Sequence, residues 1–158
     1  MKIIIPLLLA SLLLVSCQIE QKDSTTESIT EEEIQVAKDL IQGSFDDLWA
    51  GVDSTKIKDY HTNDFIILEQ GDIWDNDRIK QYMRSQLERP DRPVRTNRMD
   101  YISINKYGPS IQIAYWNYAE FTQADTLVDK ASWLESALAV KTEDGWRLKM
   151  MHSTRARK

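Results

Sequence analysis

Asp144-Gly145-Trp146-Arg147-Leu148-Lys149-Met150-Met151-His152-Ser153-Thr154 reads as a tight turn running into a strand. The turn is Glu143-Asp144-Gly145 and the strand runs from Trp146 to Arg155. Working back along the chain, Asp129 to Thr142, Ile111 to Thr122 and Arg95 to Tyr107 have the same alternating period, and Tyr107-Gly108-Pro109-Ser110 turns between two of them. Four long strands joined by tight turns form an antiparallel meander.

Before Pro90 and Pro93 the period is helical. Thr30-Glu31-Glu32-Glu33 matches a capping box, with the threonine side chain accepting from a free backbone N–H and Glu33 reaching back. Ile34, Ala37, Leu40, Ile41, Phe45, Leu48, Trp49 and Val52 then form one apolar face over about five turns at 3.6 residues each. Asp53 or Ser54 caps a short second helix through Asp59. Phe65 to Leu68 and Ile73-Trp74, separated by Gln70-Gly71-Asp72, predict a small hairpin. Asp75 or Asn76 caps a third helix carrying Ile79, Tyr82, Met83 and Leu87. The class is α+β: one strongly curved antiparallel sheet wrapped around about three helices.

This order resembles the nuclear-transport-factor-2-like (NTF2-like, or SnoaL-like) cone over residues 32–155. The segment 144–154 is similar to the last hairpin of the DUF4440 branch and of the calcium/calmodulin-dependent kinase II association (hub) domain. Ile113-Ala114-Tyr115-Trp116-Asn117 looks like the hub's middle strand, and Glu135-Ser136-Ala137 like the one after it. In the hub family, arginines stand at the positions of Asn117, Ala137 and Ser153. Their replacement here removes the carboxylate clamp that the resemblance would otherwise imply. Met150 likewise replaces the first of two alternating histidines, leaving His152.

Ketosteroid-isomerase-like and SnoaL-like relatives imply a carboxylate or histidine base in an apolar cavity, with a hydrogen-bond donor for the enolate. Glu135 and His61 are the candidate bases, with Tyr60, Tyr115 or Asn117 as donors. Parity places Tyr115 with Asn117, and Trp133 with Glu135 and Ala137; the resemblance makes these the concave faces. Each residue also has a plainer role open to it. Glu135 can pair with Arg147 or Lys149 across the last hairpin, His61 can be a loop residue, and Tyr60 and Tyr115 can be core or rim. Trp49, Trp74 and Trp133 either line a cavity or fill it. His152 either packs inward with Trp146, Leu148 and Met150 or lies at a dimer surface with Ser153 turned in; a bulge would decide between them.

Other chemistries find little support. Two histidines without metal-ligand spacing, one cysteine and five glycines offer no metal motif, P-loop or GxGxxG, and no cofactor is expected. The net charge of −5 argues against nucleic acid as a partner.

At the amino end, Lys2 precedes an apolar run from Ile3 to Val15. Thirteen residues reach about 20 Å as a helix, short of a bilayer core, so the run reads as a signal peptide. Leu14-Val15-Ser16-Cys17 resembles the bacterial lipobox, whose cysteine thiol takes the diacylglyceryl group. Cys17 is the chain's one cysteine, so lipidation accounts for a thiol with no internal partner. The expected organisation is a signal peptide at 1–16, a lipidated polar tether at 17–29 and one domain at 30–156. A lipid-anchored protein of the bacterial cell envelope, facing the periplasm or the cell surface, follows from it. For that domain the leading expectation is binding of a small apolar or amphipathic ligand. The alternatives are acid–base catalysis and protein interaction as a homodimer or with a partner.

Overall fold

The computed structural model describes residues 28–157. The signal segment, Cys17 and all but the end of the tether lie outside them. Helix α1 spans Glu31–Ser44, and its capping box forms: Glu33 N donates to Thr30 Oγ1 and Thr30 N to Glu33 Oε2, each at 3.1 Å. Such a cap contributes about 1 kcal/mol. The apolar face continues through Phe45–Ala50, which winds as a π-helix. A π turn is uncommon and is frequent at functional sites; this one carries Phe45 and Trp49. The chain leaves it at Val52 with φ 58°, a conformation that a β-branched residue adopts only under strain.

The expected second helix is a 3₁₀ turn, Ser54–Lys56, followed by α2 at Ile57–Tyr60; the Asp53 carboxylate caps it from Thr55 N at 2.9 Å. Strands β1 (His61–Glu69) and β2 (Asp72–Asp75) make the hairpin. Gln70 (φ 51°) and Gly71 (φ 89°) both turn through the left-handed region, as a two-residue hairpin loop requires. Asp75 accepts from Arg78 N at 2.8 Å and caps α3, Asn76–Leu87. Strands β3 (Val94–Tyr107), β4 (Ser110–Gln123), β5 (Thr126–Thr142) and β6 (Gly145–Arg155) follow.

The six strands form one sheet in the order β2-β1-β6-β5-β4-β3. The meander is antiparallel throughout, but β1 lies parallel to β6, so the sheet is not wholly antiparallel as expected. No turn joins these two strands, and turn chemistry is what reveals direction in a sequence.

Register shifts bend the long strands. One skips Ile102, one skips Val128, and one falls in β6, where Leu138 faces Met150 and Ala139 faces Leu148. Lys149 is the extra residue there. Before it Leu148 points inward; after it Met151 and Ser153 do, and His152 is exposed. The bulge therefore reverses the parity of the strand's last half.

Helices α1 and α2 and the π segment pack on the sheet's concave side. Ile41, Leu48, Ile79, Met83, Ile111, Ile113, Leu148 and Met151 are fully enclosed between the layers. Each contributes roughly 1.5–3 kcal/mol of apolar burial. Towards β2 and the start of β3 the packing opens into a cavity.

Candidate functional site

The concave face of β3 to β6 carries a row of polar side chains, one strand after the next. Arg95 Nε donates to Asn97 Oδ1 at 2.9 Å, and Asn97 Nδ2 donates to Asn117 Oδ1 at 2.6 Å. Asn117 Nδ2 donates to Glu135 Oε2 at 3.2 Å, and Ser153 Oγ donates to Glu135 Oε1 at 2.9 Å. A guanidinium can only donate, so Arg95 sets the direction of the whole chain. Each amide is oriented to pass a donor onward, and Glu135 receives one at each oxygen.

Glu135 is 5% exposed. Burial pushes its carboxyl up to about 7, although Ser153, Tyr115, Asn117 and the Arg95 charge all pull it down. Burial wins because the side chain stands at the inner wall of an apolar cavity. The Tyr115 hydroxyl is fully buried beside Glu135 and close enough to affect its titration, yet it makes no hydrogen bond of good geometry. Its own ionisation is pushed well above the ordinary phenol value, chiefly by burial.

The cavity has a volume of about 410 Å³. Phe45, Trp49, Trp74, Tyr82 and Trp133 form its aromatic walls, with Ile67. Glu135, Ser153 and Arg95 lie on the sheet side, and Glu69, Gln70 and Asp72 come from the β1–β2 hairpin. Trp49 and Trp74 flank Tyr82 at ring distances of 5.8 and 5.4 Å. The three tryptophans therefore line space rather than fill it. Burial also raises the Glu69 carboxyl.

Several expected residues stand elsewhere. His61 is buried on β1, stacked on Phe65 at 3.7 Å, with Nδ1 2.9 Å from Asn76 Oδ1. Asn76 Nδ2 donates to the Thr62 carbonyl at 2.9 Å, which leaves Oδ1 to accept from His61. Burial lowers the imidazole to about 4. His61 borders a separate groove with Asn76 and Lys80 and does not reach the Glu135 cavity. Tyr60 is a clamp: its hydroxyl donates to Asp47 Oδ2 at 2.6 Å, and its ring lies over Gly43. Glu135 pairs with neither Arg147 nor Lys149. Arg147 donates to the Lys58 carbonyl, and Lys149, displaced by the bulge, pairs with Asp64.

Arg95, Asn97, Tyr82 and Glu69 complete the site without having been singled out in the sequence. Arg95, Asn97, Met99 and Tyr101 alternate on one face of β3, and that parity was available; what it lacked was a reason to put the face inward. Among the described residues no group of three or more His, Cys, Asp or Glu side chains is arranged to hold a metal ion.

No family model and no curated protein matches the chain. Solved structures do. An NTF2-like superfamily protein of Salmonella enterica is 16% identical with a TM-score of 0.62, covering 80% of this chain and 91% of its own. The fold is that of the NTF2-like cone. A ketosteroid isomerase-like protein of Erwinia carotovora superposes on 82% of this NTF2-like chain and 100% of its own, with 12% identity and a TM-score of 0.60. The CaMKII hub of S. rosetta covers 77% and 95%, with 12% identity and a TM-score of 0.61.

Proposed function

We propose that this NTF2-like domain binds a small amphipathic molecule in the aromatic cavity, at a bacterial envelope to which Cys17 anchors it. The observation that carries the reading is a cavity of about 410 Å³ with a buried carboxyl in its wall. That volume is in the range of small-molecule sites, where apolar walls supply affinity and a few polar groups fix orientation. The lipobox-like Leu14-Val15-Ser16-Cys17 supports the anchor. The outer face of the sheet, where Trp116 and the exposed Leu134 are register partners, supports a second copy of the chain as a further partner.

Three wall tryptophans make the test direct. Titrating the protein with a panel of short-chain and aromatic amphiphiles is expected to change tryptophan emission saturably, and Trp133→Phe is expected to reduce the change. Emission that no amphiphile alters would remove the reading.

The titration of Glu135 favours a second reading, proton abstraction beside a carbonyl. A buried carboxyl near 7 is a usable base. It would take the proton from carbon while the C–H electron pair moves into the enolate, whose oxygen Arg95 faces. Solvent deuterium entering a bound ketone, and ceasing to do so in Glu135→Gln, is the expected sign. Exchange that persists in that variant would exclude Glu135 as the base.

A further inference from the structure

Beside the aromatic cavity lies a smaller one of about 180 Å³. The two share a wall made of Trp49, Tyr82, Arg95 and Trp133. The smaller chamber adds Arg89 and Arg92 from the segment between α3 and β3, and no carboxylate lines it.

Unmet donors sit on the shared wall. Arg95 is held between the Phe45, Phe121 and Trp133 rings at 5.7, 5.7 and 5.2 Å. Its Nε bonds Asn97, but Nη1 and Nη2 have no hydrogen bond or ion pair among the described residues. Burial disfavours its charge, while Tyr82, Glu135 and Glu69 favour it. A guanidinium held among rings with its end nitrogens lacking acceptors is costly.

We propose that Arg89, Arg92 and Arg95 form an anion subsite for the acidic head of the ligand, whose apolar body occupies the aromatic chamber. The ligand class is thereby narrowed to organic acids, carboxylate or phosphate, with a compact apolar body. These arginines occupy none of the three positions at which the hub family carries its own. Oxygen atoms of the head would satisfy the free guanidinium nitrogens of Arg95 through charge-assisted bonds. Arg92 also donates to the Ala50 carbonyl at 2.9 Å, which ties the subsite to the end of the π segment.

The inference rests on the cavity being a binding site, and one calorimetric series separates the two claims. The full chain in nonionic detergent is titrated with 4-phenylbutyrate, 4-phenyl-1-butanol and 4-phenylbutyl phosphate, each corrected against empty micelles. At least one anion is expected to bind about tenfold tighter than the alcohol, and the tighter of the two names the acid. Arg89→Gln, an exposed site, is expected to weaken that anion by about three- to tenfold and leave the alcohol unchanged. Arg95→Gln is expected to abolish the preference, with alcohol binding reporting that the cavity is intact. Anions that bind no tighter than the alcohol, or an Arg89→Gln variant that weakens all three probes alike, would overturn the subsite and leave the cavity reading standing. Failure of every probe to bind would overturn both.

Discussion

Ser153 Oγ donates to Glu135 Oε1 at 2.9 Å, directly across the β5–β6 register. This bond exists because the bulge at Lys149 turns Ser153 inward, and it favours the ionised carboxylate against the pull of burial. Removing it in Ser153→Ala is expected to raise the Glu135 carboxyl further above its value of about 7. A side-chain carboxyl NMR titration reads this; a lower value in the variant would contradict it.

The same carboxyl makes stability depend on pH. Its folded value, about 7, lies above the ordinary 4.5. The folded state therefore holds the proton more tightly, and stability is full below pH 4.5 and falls as pH rises through 7. The span is about 3 kcal/mol. Glu135→Gln carries no charge to desolvate, so it is expected to melt higher than the wild type at pH 8 and to lose that advantage at pH 5. An equal difference at both pH values would refute the burial argument.

His61 acts with the opposite sign. Its folded value of about 4 lies below the ordinary 6.5, so stability is full above pH 6.5 and is lost as pH falls towards 4, again by about 3 kcal/mol. Between pH 4.5 and 6.5 the two slopes oppose each other. His61→Phe keeps a ring against Phe65 and removes the titration, so its thermal stability is expected to hold better than the wild type's on acidification. A parallel acid decline in both proteins would show that His61 is not its source.

Much of this architecture was open to a reader of the sequence. The Thr30 capping box, the Asp75 cap and the four long strands lie where period and turn chemistry put them, and Glu135 and Trp133 share a face as parity required. The π turn was not legible, because Phe45, Leu48 and Trp49 satisfy a 3.6-residue face equally well. Neither was the parallel β1–β6 pair, which no turn announces. His152 and Ser153 needed the bulge at Lys149, and nothing in Leu148-Lys149-Met150-Met151 marks one. Arg95 was hidden for another reason: a charged residue at the head of a strand reads as solvated until the rings of Phe45, Phe121 and Trp133 are seen around it.

Gly43 tests the clamp that holds α1 to α2. A Cβ there would stand 2.9 Å from both Cε1 and the hydroxyl oxygen of Tyr60. Gly43→Ala is expected to displace Tyr60, weaken its bond to Asp47 and cost about 1–3 kcal/mol in chemical denaturation. Gly43→Ala with Tyr60→Phe is expected to lose less than the two single changes added together, since they act on one contact. Strict additivity would argue that Tyr60 moves freely.

The proposed role of Cys17 is to set location. The wild type is expected to incorporate labelled palmitate and sediment with membranes, and Cys17→Ser to do neither. Membrane association that survives the substitution, with no label in the wild type, would contradict lipidation at this residue.

Native mass spectrometry of the gently purified protein reaches the central claim most directly. The expected spectrum shows a discrete small-molecule adduct that denaturation releases and that a combined Trp49→Ala and Trp133→Ala variant lacks. A wild-type protein that is ligand-free as isolated, and remains so after exposure to envelope extracts, would contradict a binding role for the Glu135 cavity.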